Sequence, residues 1–162
     1  MRVARLLSWA LAATVTCLAS GCSGAIDVAP PADVPPAATQ VCAALAERLP
    51  DTLSGNGAGN GADQESRATE PESALTAAWG DPAIVLRCGV PRPAALTRTS
   101  QLVSVNGVDW FAEELTQGYV FTTYGRQVFV EVTVPDDYEP EVGPVTELSS
   151  AVAEEVPARD AS

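Results

Sequence analysis

The 162-residue sequence contains no histidine, and all nine of its basic residues are arginine, so lysine is absent too. Without histidine the chain cannot form a Ser-His-Asp triad, a Cys-His nucleophile pair or a metal site with imidazole ligands. Without lysine it has neither a Schiff base nor the phosphate-binding lysine of a P-loop. We therefore predict a protein that is not an enzyme and that uses no cofactor or metal.

Positive charge is scarce, and the formal net charge at pH 7 is −12. Loss of an N-terminal leader carrying Arg2 and Arg5 would make it −14. Such a chain is repelled by nucleic acid and by anionic lipid headgroups. The sequence also has no basic stripe interleaved with aromatic residues, so no nucleic-acid partner is predicted.

The N-terminus has the layout of a secretory signal peptide over residues 1–21. Arg2 and Arg5 precede an uncharged run, 6–19, and small residues follow it. A membrane-spanning helix needs about 20 apolar residues, and this run is shorter and interrupted by Ser and Thr. The pattern predicts export followed by cleavage.

The cleavage region, Leu18-Ala19-Ser20-Gly21-Cys22, resembles the lipobox of bacterial lipoproteins, although the leucine stands one place too far from the cysteine. In that interpretation Cys22 receives the lipid and anchors the protein to the outer face of the cytoplasmic membrane, since two acyl chains give stable anchoring. The alternative is ordinary cleavage after Gly21, which would give a secreted protein.

Of the four cysteines, Cys17 lies in the leader and Cys22 at the cleavage site, which leaves Cys42 and Cys88. Two thiols in an oxidising compartment normally pair. Each also lies on an apolar face, Cys42 at helical spacing and Cys88 at strand spacing, so the two predict a disulfide bridge. A redox role for this pair is a further hypothesis, and it requires an exposed bridge.

The chain divides into a leader, a tether, one domain and a tail. Residues 22–37 comprise the lipidated cysteine and an Ala/Pro-rich tether, which should be extended and semi-rigid. Residues 38–157 are long enough for one domain, and 158–162 form a disordered tail.

Within the domain we predict a first helix with Thr39 as N-cap and Pro50 as its stop, a flexible Gly-rich loop over 54–72, and a last helix over 144–155. Three hairpins are predicted between them, with turns at 80–82, at 106–107 and at 125–126. The order predicts an α+β fold with an antiparallel sheet of five or six strands and both helices packed on one face.

A non-catalytic module needs a binding surface, and residues close to the hairpin ends are the candidates because loops converge there. The candidate surface comprises Trp79, Asp81, Trp110, Tyr124 and Arg126. Trp110 next to its turn could stack on a sugar or a partner, or it could simply cover the core.

Carboxylate chemistry survives the absence of histidine and lysine, because a glycosidase needs only two acids at a suitable separation. The alternative function is therefore a hydrolase acting on cell-wall glycans through two of four carboxylates: Asp109, Glu113, Glu131 and Asp137. The simpler interpretation is that these four carboxylates are exposed charges that keep the protein soluble.

Four segments have a distinctive sequence: VCAALAERLP (41–50), AAWGDPAIVLRCGVPRPA (77–94), VNGVDWF (105–111) and TTYGRQVFVEVTVP (122–135). Together they resemble an actinobacterial family known only as domain of unknown function 3515. The resemblance implies an exported, commonly lipid-anchored protein of the cell envelope that retains both domain cysteines, with no established activity. We expect a binding or accessory module whose partner is another envelope protein or a wall component.

Overall fold

The computed structural model describes residues 24–54 and 61–159. The predicted signal peptide, Cys22, the centre of the Gly-rich loop (55–60) and the last three residues lie outside them. The helices are α1 (Pro36–Ala46), a 3₁₀ helix (Asp136–Tyr138) and α2 (Val142–Glu155). No helix in the two described ranges is long and apolar enough to cross a membrane.

The strands found in these residues make one large and one small sheet. Their bounds are β1 (Ile26–Asp27), β2 (Thr52–Leu53), β3 (Gln64–Arg67), β4 (Thr69–Glu70), β5 (Thr76–Trp79), β6 (Ile84–Cys88), β7 (Val103–Val105), β8 (Val108–Leu115), β9 (Gly118–Tyr124) and β10 (Val130–Val134). The large sheet has the order β2-β3-β5-β6-β10-β9-β8-β7, with every neighbouring pair antiparallel. The fold is α+β, as predicted.

The sheet contains the three predicted hairpins, β5–β6, β7–β8 and β9–β10. Asn106 and Gly107 between β7 and β8 both have positive φ, 49° and 78°, which a tight two-residue hairpin turn requires. The sheet has eight strands, more than the five or six expected. The additional ones are short: β2, and β3 within the segment predicted to be a loop.

Alternating side chains of the central strands build the core. In β6 and β10 these are Ile84, Leu86, Cys88, Val130, Val132 and Val134, all at most 2% exposed. The Cys42–Cys88 disulfide joins α1 to β6, with its Sγ atoms 2.05 Å apart. The Trp110 indole Nε1 donates to Ser149 Oγ at 3.0 Å, which joins β8 to α2. Val145, Leu148 and Val152, the predicted stripe of the last helix, are fully buried.

Helix α1 begins at Pro36, three residues before the predicted N-cap. Thr39 therefore lies inside the helix, where its hydroxyl donates to Pro35 O at 3.2 Å and caps nothing. Proline suits the first helical turn because its fixed φ is already helical and its missing N–H would have had no partner. The prediction of Thr39 as N-cap was wrong for this reason.

Residues 24–35 are docked on the domain and do not form the free tether that we predicted. Ile26 N donates to Ala68 O at 2.8 Å and Val28 N to Glu70 O at 3.0 Å, so β1 pairs with β4 in parallel. Val28 is 6% exposed, and Pro31 is also buried. This contact depends on backbone hydrogen bonds and two buried apolar residues, which a composition rich in Ala and Pro does not reveal.

Candidate functional site

Two of the five candidate surface residues are in the core. Trp79 is 1% exposed and its indole nitrogen donates to Pro50 O at 2.9 Å, while Trp110 is 0% exposed and bonded to Ser149. Both rings face the interior because each alternates with residues on the other side of its strand. Neither tryptophan can touch a partner.

Arg126 holds structural elements together. Its Nη1 donates to Val156 O at 2.9 Å and Ala153 O at 3.4 Å, at the C-terminal end of α2. Its Nη2 donates to Gly107 O at 2.7 Å in the β7–β8 turn. A cation at a helix C-terminus satisfies carbonyls that lack partners and complements the helix dipole. The contacts of this guanidinium are therefore those of a helix cap.

Asp81 and Tyr124 are exposed but lie at opposite ends of the sheet. Asp81 follows β5 in the β5–β6 turn, where its side chain is 90% exposed. Tyr124 closes β9 and pairs with Asp109, at the end where Cys88 meets Val130. The structure therefore does not bring the five candidates together on one surface.

A different site is present on the sheet face that does not carry Cys88 and Trp110. Here a groove of about 540 Å³ lies between the strands and the segment 90–95. Its floor carries Arg87 of β6, Glu131 of β10 and Glu113 of β8, and its wall carries Arg92. These charges share a face because each alternates along its strand with a core residue.

An ion pair lies at the centre of the groove floor. Arg87 and Glu131 are direct cross-strand partners, and Arg87 Nη1 donates to Glu131 Oε1 at 3.3 Å. The two side chains are 34% and 22% exposed. Arg87 Nε is buried and finds no acceptor among the residues that the structure describes. The protein thus leaves part of the hydrogen-bonding capacity of this guanidinium unused.

The groove wall is a short stiff segment, Val90-Pro91-Arg92-Pro93. Val90 at its start and Leu96, three residues after its end, are buried, with 6% and 4% of their surfaces exposed. Arg92 Nη2 donates to Leu96 O at 2.8 Å, which closes the loop on itself. Two prolines limit the backbone freedom of the unfolded chain, which lowers the entropy cost of ordering this wall.

The groove brings together two of the four carboxylates of the hydrolase hypothesis, Glu113 and Glu131. Glu131 is held by Arg87. Asp109 lies nearer the β7–β8 turn, where its carboxylate accepts a hydrogen bond from Ser104 Oγ. Asp137 is in the 3₁₀ helix and is exposed.

The disulfide has no access to solvent, since Cys42 and Cys88 are 0% and 1% exposed. A partner thiol cannot reach it, so the structure does not meet the requirement of the redox hypothesis. Within the described ranges, no three His, Cys, Asp or Glu side chains are grouped as metal ligands would be.

The sequence reasoning missed the groove, and Arg87 and Arg92 with it. Alternation along β6 places Arg87 on the strand face opposite Cys88, but the spacing of residues in the sequence does not indicate that Glu131 is its partner there. The available signal was Pro91-Arg92-Pro93, which begins three residues after the last residue of β6, because a charged residue between two prolines is held in a defined, extended backbone. The folding back of this segment over β10 and β8 is a tertiary contact that spacing does not encode.

A family model described as "Protein of unknown function (DUF3515)" matches residues 3–161. No curated protein and no solved structure matches the chain significantly. The match includes the leader and residues 22–37, which the sequence resemblance did not cover.

Proposed function

The chain belongs to this family of proteins of unknown function, and we propose that it is an exported, lipid-anchored accessory module that binds a cell-wall component without catalysis. The groove over Arg87, Glu113 and Glu131 is the observation that carries the binding proposal. The leader pattern before Cys22 and the disulfide between Cys42 and Cys88 support export, since such bridges persist in oxidising compartments. We infer that both helices cover the face that carries Cys88 and Trp110, so the groove faces outward.

The charges of the groove select the class of ligand. Arg87 and Arg92 suit carboxylates, and Glu113 suits an ammonium group, while the prolines offer apolar contact. A short peptide that carries both kinds of charge complements this lining. The peptides of a bacterial wall have this chemistry, and a segment of another exported protein is the competing partner.

Cosedimentation with purified bacterial cell-wall sacculi tests this proposal. The chain from Ser23 onward, with its disulfide formed, is compared with the double variant Arg92→Gln/Glu113→Gln. We expect the variant to bind at least tenfold more weakly, because it removes one charge of each sign from the groove. The double variant Arg48→Gln/Glu154→Gln is the matched control, since it makes the same charge change among residues of α2 and the segment after α1.

Equal binding by wild type and groove variant would contradict the proposal. The supernatants also test the alternative function: a hydrolase would release soluble glycan fragments, and Glu113→Gln would abolish the release. Binding without release supports the accessory module.

A further inference from the structure

The N-terminal segment is fastened to the domain from its first described residue. Arg67 Nη2 donates to Gly24 O at 2.7 Å, and Arg67 Nη1 donates to Gly80 O at 3.0 Å in the β5–β6 turn. The β1–β4 pairing and the buried side chain of Val28 continue the attachment. Gly24 is thus fixed beside the β5–β6 turn.

Only Ser23 separates Gly24 from Cys22. Each residue spans at most about 3.6 Å, so the Cα atoms of Cys22 and Gly24 are within about 7 Å of each other. A lipid on Cys22 would therefore enter the membrane directly beside the folded domain.

We propose that the domain sits on the membrane surface in one fixed orientation, with the end around Gly24 and Asp81 facing the lipid headgroups. This inference rests on the proposed lipidation of Cys22 and adds the membrane-facing surface to it. The strands run away from this end, so the β9–β10 loop, including Gln127, points away from the membrane. The groove runs along the strands on one face of the sheet. Arg87 and Glu131 lie next to the Cys88–Val130 pair at the end far from the membrane, whereas Glu113 is level with Val85, nearer the membrane-facing end.

Charge does not produce this orientation. The membrane-facing end exposes Asp63, Glu65 and Asp81 around a cavity of about 410 Å³ that Gly24 also lines. Carboxylates are repelled by anionic headgroups, although salt at 0.15 M screens this beyond about 8 Å. The short covalent connection is what would hold this end at the surface.

The test uses the lipidated protein that begins at Cys22, in phosphatidylcholine/phosphatidylglycerol vesicles (4:1) that contain a lipid with a headgroup-attached quencher. A fluorophore is placed on Asp81→Cys or Gln127→Cys, with the native disulfide intact. We expect quenching at position 81 to exceed quenching at position 127 at least twofold. Equal quenching at the two positions would overturn the inference.

Two further variants test whether the orientation requires the pairing of β1 with β4 or only the short distance between Cys22 and the domain. Ile26→Pro/Val28→Pro removes the two backbone donors that fasten β1, and Ala29→Pro adds a proline at an exposed position outside the pairing. The difference between the labelled positions should disappear in the first variant and persist in the second. A difference that survives in Ile26→Pro/Val28→Pro would overturn the role given to β1.

Binding to vesicles, measured separately from quenching, tests the proposed lipid anchor. Cys22→Ser without residues 1–21 should not bind the vesicles, and binding that equals wild type would overturn the lipid anchor itself. A lipidated protein that binds through Cys22 but shows equal quenching at both labels would overturn only the orientation.

Discussion

At the scale of single residues, Arg126 was a candidate for the binding surface, but its contacts are with the protein's own backbone. It lies next to a turn glycine, which is where a loop-borne binding residue is expected, yet its guanidinium is used by three backbone carbonyls. Trp110 behaves similarly, since it stands beside a turn and fills the core. Proximity to a hairpin end therefore did not distinguish contact with a partner from contact with the protein's own helix.

The variant Arg126→Met should destabilise the domain by about 2 kcal/mol, because hydrogen bonds to a charged group contribute about 1.5–3 kcal/mol and part of this network is exposed. Urea unfolding measures the change, with Arg98→Met, an exposed arginine, as control. Binding to sacculi should stay at the wild-type level in both. If Arg126→Met left the free energy of unfolding unchanged but lost binding to sacculi, the structural role would be wrong and Arg126 would belong to the binding surface.

At the scale of elements, the structure confirms the buried faces that were predicted from a regular spacing of apolar residues. The strict alternation of β10 and the Val145, Leu148 and Val152 stripe of α2 are buried as their periodicity indicates. The strand β3, Gln64-Glu65-Ser66-Arg67, could not be recognised because it contains no apolar residue. This segment forms a strand because its backbone pairs with β5 on one side and β2 on the other.

The disulfide connects the elements that the sequence most clearly defined, α1 and β6. Its cysteines are separated by 46 positions, and closing a loop of that length stabilises the fold by about 4 kcal/mol in the chain-entropy model. The bridge links a helix to a central strand of the sheet.

The 3₁₀ helix is attached to the β5–β6 turn by a buried phenol. Tyr138 Oη donates to Pro82 O at 2.5 Å and lies 3.2 Å from Gln64 Oε1. Burial is the main cause that raises the pKa of Tyr138 above its ordinary value of 10.0. Folding thus favours the protonated phenol. Its contribution to stability is present below pH 10 and is lost as the pH rises through the folded-state pKa.

Urea unfolding between pH 8 and 11 checks this with Tyr138→Phe. At pH 8 the variant should be less stable by about 1–2 kcal/mol, the usual value of its hydrogen bonds. Above pH 10 its stability should fall less steeply than that of wild type. The pKa of Tyr119, raised mainly by Glu114, affects both proteins equally. Identical slopes would contradict the assignment.

At the scale of the whole molecule, one arrangement accounts for the docked N-terminus and the groove. The segment 24–35 brings the proposed anchor site to one end of the sheet, and the Arg87–Glu131 pair of the groove lies toward the other end. Composition predicted a spacer here, because Ala and Pro without periodicity normally give an extended linker. The geometry instead supports a domain that needs no spacer, since the length of the strands separates the Arg87–Glu131 pair from the proposed anchor site.

The central claim is an exported domain, lipidated at Cys22 and braced by Cys42–Cys88. The most direct test is the intact mass of the protein extracted from its native membrane, with thiols alkylated before or after reduction. The account predicts a chain that begins at Cys22, carries acyl chains and exposes two thiols only after reduction. An unlipidated chain whose Cys42 and Cys88 are alkylated without reduction would contradict it.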